Sequence, residues 1–126
     1  MLFNVTIFAA ISALCTTAAL HSWAGEAYLI RPLLKYRGNR VLENHLARSV
    51  LRFAWHITSF FWLILAGFLY ATAFHPQALV PILLVTIGSS FLAVGVFSLA
   101  FSKGRHIGWP LLVLTGALTL MAFRLT

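Results

Sequence analysis

Phe53 to Ser102 reads FAWHITSFFWLILAGFLYATAFHPQALVPILLVTIGSSFLAVGVFSLAFS, 50 residues without an aspartate, glutamate, lysine or arginine. A membrane-crossing helix needs about 20 predominantly apolar residues, so this run holds two of them. His75-Pro76-Gln77 is the place to divide it. The residue before a proline is pushed out of the helical region, and proline suits the first turn of a new helix. The apolar residues run continuously instead of alternating, which selects helices over a barrel.

Two further runs flank it. Met1 to Gly25 has no charged side chain, and His106 to Phe123 adds 18 residues without one. The pattern predicts an all-α integral membrane protein, a single four-helix bundle over residues 1–126. Its spans lie near Leu2–Ala24, Phe53–Phe74, Leu79–Phe101 and Trp109–Phe123. The first run lacks the basic start of a secretory signal, since the first basic residue is Arg31, and reads as an uncleaved span.

Composition agrees. Of 126 residues 61% are hydrophobic and 9% are charged, and the mean hydropathy is +0.94. Eleven charged side chains, nine basic and two acidic, would not make the surface of a soluble domain polar. A soluble enzyme, a disordered tail and a disulfide-rich secreted module are excluded. Cys15 is the sole cysteine, so there is no internal disulfide framework.

Orientation follows from the lysines and arginines. Arg31, Lys35, Arg37, Arg40, Arg48 and Arg52 lie between the first two spans, and Lys103 and Arg105 between the last two. Eight of the nine basic residues therefore share one side, with Arg124 alone opposite. That side is expected to be cytoplasmic, placing residues 25–52 and 102–108 in the cytoplasm and both termini outside. A bacterial inner membrane fits this pattern. A basic patch of this kind meets anionic lipid headgroups rather than nucleic acid.

The segment between spans one and two carries its own structure signals. Tyr28 to Lys35 is amphipathic and interrupted by Pro32, and Arg37-Gly38-Asn39-Arg40 signals a turn. Asn39 could cap a helix running unbroken from Val41 to Phe74, ~50 Å at 1.5 Å per residue. Small and polar residues in span three (Thr86, Gly88, Ser89, Ser90, Ala93, Gly95) and span four (Thr115, Gly116, Thr119) predict helix-packing faces. Trp23, Trp55 and Trp109 gather where an aromatic belt is expected, with Trp62 deeper.

Two sets of side chains could carry chemistry. His45, Arg48, Arg52, His56 and Ser59 follow one another at three- or four-residue spacing, so they share a helix face. Cations stacked in this way repel unless an anion sits beside them. His45, Arg48, Arg52 and Ser59 are thus candidates for contact with an anion or lipid headgroup. The second set is His21, Glu26, His56 and His106, which the topology places near one membrane face. Imidazoles and a carboxylate converging from separate helices could hold a transition metal or haem b. Ala18 and Gly25 flank His21 and would let a helix or a flat ligand approach it. No His-x-x-x-His, Glu-x-x-His or cysteine pair is present.

The His21-Ser22-x-x-Gly25-Glu26 run resembles the helix-borne histidine followed by glycine of copper-resistance-type membrane proteins. The resemblance covers a few residues of one helix and carries no function over. No complete catalytic set is present. The sequence thus supports a non-enzymatic accessory or assembly component that pairs with itself or with another membrane protein. The alternative is a metal- or haem-binding redox or transport protein built on His21, Glu26, His56 and His106.

Overall fold

A computed structural model describes residues 2–36, 38 and 40–125, and these form helices with no strand among them. Three helical stretches are long and apolar enough to cross a membrane: Leu2–Lys35, His45–Phe74 and Pro76–Ser102. Trp109–Arg124 is apolar but shorter. The chain divides into two compact units, Met1–Ala73 and Phe74–Thr126.

In the first unit α1 covers Leu2–Gly25, a π-helical turn covers Glu26–Ile30, and α2 covers Arg31–Lys35. The expected interruption at Pro32 does not occur. The Arg31 N–H reaches back five residues to the Glu26 carbonyl, so the widened turn absorbs the disturbance ahead of the proline. Pro32 follows directly after this turn, whose wider spacing accommodates a ring and a missing N–H inside the helix. Ile30 and Leu34, four residues apart, are buried, while Arg31 and Lys35 on the other side are exposed. The amphipathic character expected of this segment therefore holds within a continuous helix.

The helix expected from Val41 is broken once. A short α3 covers Arg40–Glu43, and α4 begins afresh at His45 and runs to Phe74. Asn44 makes the break. Its side-chain Oδ1 accepts from the Leu46 N–H at 2.8 Å and the Ala47 N–H at 3.3 Å. Its carbonyl accepts the first helical bond, from Arg48, at 3.1 Å. This is N-cap geometry, in which a short amide competes with the helical path and satisfies otherwise unpartnered donors. The expected capping residue Asn39 lies outside the described residues. Gly38 adopts a φ of +100°, and its N–H donates to the Glu43 carboxylate at 3.3 Å.

The second unit starts at the predicted turn. His75 leaves the helical region (φ −135°, ψ 50°), Pro76–Ala78 form a single 3₁₀ turn, and α5 runs over Leu79–Ser102. Lys103 is left-handed at φ 51° and Gly104 follows at φ 77°. The Gly104 N–H donates to the Leu99 carbonyl at 3.1 Å and the Lys103 N–H to Ala100 at 3.4 Å, the paired closure of a Schellman motif. After this reversal α6 covers Trp109–Arg124, with Pro110 in its first turn. Glycines set the spacing of the two helices. A β-carbon on Gly88 would press on Leu120, one on Gly95 on Val113, and one on Gly116 on the backbone of Gly88 and Leu92. Ser89 is not part of this contact. It is exposed, and its hydroxyl donates to the Val85 carbonyl of its own helix at 2.7 Å.

Candidate functional site

The polar side chains of the first unit meet where the end of α1 lies against the early turns of α4. Glu26 opens the π-turn and is its centre. One carboxylate oxygen, Oε1, takes the Arg52 guanidinium at 2.8 Å and the Arg31 Nε at 3.2 Å. The other, Oε2, lies 3.3 Å from Nε2 of His56. A carboxylate only accepts, so His56 must carry a proton on Nε2. In the neutral ring Nδ1 is then the acceptor for the Ser22 hydroxyl, 2.6 Å away. Ser22, on α1, and Glu26, at the start of the π-turn, are four residues apart in one continuous helix and so present to the same face. His56 crosses from α4 and is held by both.

A second layer lies one turn away. The Nδ1 atom of His21 is 3.0 Å from the hydroxyl of Ser59, which is buried. The imidazole stacks on the Trp55 indole, with centroids 4.2 Å apart and planes 8° from parallel. Trp62 meets the same ring edge-on at 4.9 Å. The Trp55 N–H donates to the His21 carbonyl at 3.1 Å. Gly25 makes room for this indole, since a β-carbon there would overlap its five- and six-membered rings.

The structure thus divides the predicted residues into three groups. Glu26, Arg52 and His56 share one ion-paired cluster, to which His21 is adjacent through Ser22 and Trp55. The stripe of His45, Arg48, Arg52, His56 and Ser59 does lie along α4, and Glu26 is the anion beside it. His45 and Arg48 are exposed near the start of that helix, whereas Ser59 is buried against His21. His106 belongs to the second unit, in the connection between α5 and α6. Its Nδ1 is 3.0 Å from the Ser98 hydroxyl, its N–H donates to Ser102 Oγ at 3.2 Å, and Ser102 in turn donates to the Ser98 carbonyl at 2.6 Å. These bonds fold the connection back onto α5.

What the site can do follows from its lone pairs. Both His56 nitrogens are engaged, and Glu26 is shared among three cationic or N–H donors. Among the described residues no group of three or more histidine, cysteine, aspartate or glutamate side chains is arranged to hold a metal ion. The flat space beside His21, which the sequence offered to a helix or a planar ligand, is filled by Trp55. No buried side-chain nitrogen or oxygen among the described residues lacks a hydrogen-bond partner. The set therefore has the character of a satisfied interhelical network.

Three participants do not stand out in the sequence. Arg31 counts there only as a topology charge, Ser22 shares a face with Glu26 without an assigned role, and Trp55 is a belt residue beside the motif-like run of His56 and Ser59. Trp23, 66% exposed, does have the exposure of a belt residue. The signal for Trp55 is its register: it lies four residues before Ser59 and seven before Trp62, a spacing that turns all three toward α1. No protein-family model, curated protein or solved structure matches this chain.

Proposed function

We propose that the chain is a non-enzymatic accessory or assembly component of a membrane complex, with four spans and both termini outside. One observation carries this reading: the chemistry-bearing side chains of α1 and α4 are spent on one another. Glu26, His56, Ser22, His21 and Ser59 each bond across the helix pair, which engages the histidines and the carboxylate with one another. Broad exposed apolar surface supports contact with lipid or with partner helices. Phe3, Phe8, Val80, Val96, Phe97 and Leu111 are each more than half exposed.

The fourth span is the short α6. Its 16 residues reach about 24 Å, less than the ~30 Å of hydrocarbon. Local thinning and a snorkelling Arg124 make up such a difference at modest cost. The basic segment between α1 and α4 then rests on the anionic cytoplasmic leaflet.

Two measurements test the reading. With Cys15 replaced by alanine, a cysteine at Gly38 should be shielded from an impermeant thiol reagent in intact cells, and one at Gln77 should be labelled. The opposite pattern would sink the orientation. Protein purified in mild detergent should show no Soret band and no stoichiometric metal by elemental analysis. A haem spectrum, or one metal ion per chain, would replace the accessory reading with a redox or transport one.

A further inference from the structure

Two hollows on the first unit join end to end. The upper, about 370 Å³, is lined by Ser22, Glu26, Ala27, Arg31 and His56, with Trp23 at its rim. The lower, about 310 Å³, is lined by Cys15, Ala18, Phe60 and Leu63. Ala19, Ser22 and His56 line both. The charged side chains Glu26 and Arg31 line only the upper hollow, while Phe60 and Leu63 line only the lower, together with the buried hydroxyl of Ser59. From Glu26 to Cys15 the two hollows follow α1 for ~16 Å at 1.5 Å per residue, about half the ~30 Å hydrocarbon thickness. That is the depth of one leaflet.

Charge at the upper end is unbalanced. Glu26 carries one negative charge against two guanidiniums, and their side chains are 64% and 49% exposed. Each has donors left over after the carboxylate is satisfied, since a guanidinium carries five N–H groups. Arg48 continues the positive stripe along α4. Guanidinium pairs are suited to phosphate because their planar forks match its oxygens. Trp23 stands beside the hollow with the amphipathic ring suited to headgroup depth.

We propose that this double hollow is a specific site for one anionic phospholipid, its phosphate held by Arg31 in the wall and by Arg52, which pairs with the same oxygen of Glu26, and one acyl chain laid in the groove over Ala19, Phe60 and Leu63. The inference rests on the membrane orientation proposed above, because it needs the arginine end at an anionic leaflet. A second copy of this chain would fill the apolar groove but brings only two acidic residues, Glu26 and Glu43, so the charge complementarity favours lipid.

The test uses the full-length protein in mild detergent, titrated with phosphatidylglycerol or with phosphatidylcholine of the same acyl chains, and reads bound lipid by native mass spectrometry. Phosphatidylglycerol should be held about tenfold more tightly, the equivalent of one charge-assisted hydrogen bond. Arg31→Gln with Arg52→Gln should bring that ratio close to one. Glu26→Gln should raise it, because the carboxylate that competes for both guanidiniums is gone. A purely structural carboxylate predicts no such gain. Ala19→Trp, at an exposed position, should block the groove and release the tight lipid with every charge intact. Excess inorganic phosphate should fail to displace phosphatidylglycerol. Equal retention of the two lipids, wild-type selectivity in the double arginine variant, or displacement by free phosphate would each overturn the lipid site. If that happened with the thiol-labelling pattern as expected, the accessory reading would stand. A reversed labelling pattern would fail that reading itself.

Discussion

Gly116→Leu should abolish the stable packing of α5 on α6. A β-carbon at 116 would lie 2.5 Å from the Leu92 nitrogen, 2.7 Å from the Gly88 carbonyl oxygen and 2.8 Å from the Leu92 α-carbon. All three are backbone atoms, so no side-chain rotation relieves the overlap. The helices must separate, and the neighbouring contacts of Gly88 with Leu120 and Gly95 with Val113 loosen together. Overpacking costs typically about 1–3 kcal/mol, and more where backbone must move. Replacing glycine within a helix returns up to about 1 kcal/mol through better helix propensity, which is too little to compensate. The expected result is a lower thermal midpoint in detergent and a reduced folded fraction on size-exclusion chromatography. Ser89→Leu is the internal contrast. Ser89 is exposed, so it should leave both measurements close to wild type. Equal behaviour of the two variants would mean that α5 and α6 do not meet at the glycines.

The second large effect is expected from Gly25→Ala. The added carbon would overlap the Trp55 indole, a rigid group anchored by its N–H on the His21 carbonyl and by stacking on the His21 ring. Pushing it aside takes the stacked pair with it. Such aromatic contacts are worth about 0.5–1.5 kcal/mol beyond their buried area, in addition to an overpacking cost of about 1–3 kcal/mol. Thermal stability should fall, and the polar layers next to it should loosen. The assignment to one contact is checked by a double-mutant cycle. In a Trp55→Leu background, Gly25→Ala should cost little, because the smaller side chain leaves room. An undiminished cost there would show that Gly25 faces something other than Trp55.

The helices are readable because a charged side chain is what a bilayer-crossing segment tolerates least. Three charge-free runs and the proline at 76 locate α1, α4, α5 and α6 to within a residue or two at most ends. The break at Asn44 is less visible, since its amide sits among residues that would otherwise continue the helix. The π-turn is invisible for a different reason: it leaves the apolar periodicity almost intact and is a response to Pro32 as much as a property of its own residues.

The site is half legible. Common spacing puts Ser22 with Glu26, and Arg52 with His56 and Ser59, on single faces. The sequence holds no means of deciding which ring fills the space over Gly25. A planar cofactor and an indole make the same demand on a small residue, and the space goes to Trp55, one residue ahead of His56. His106 belongs to the second unit, and nearness to a membrane face is all that links it to the others in the sequence. The Ser98–Ser102–His106 spacing of four residues already offers a local explanation, with two hydroxyls one turn apart on α5 and a ring folding back to meet them.

The π-turn at Glu26–Ile30 also bears on how this chain tolerates changes in length. Removing a residue from an ordinary helix swings everything beyond it by about 100°, since 3.6 residues complete a turn. A π-turn is in effect one residue of slack. Losing that residue there would close the turn to ordinary α geometry and keep Ile30 and Leu34 in phase with the buried side of α1. The carboxylate at its start and the arginine after its end are five positions apart, and they face one another because of that extra residue. Length variation between related chains would thus be absorbed at this turn, and a gap placed there in an alignment would mark a change in how Glu26 meets Arg31 with the fold on either side unaltered.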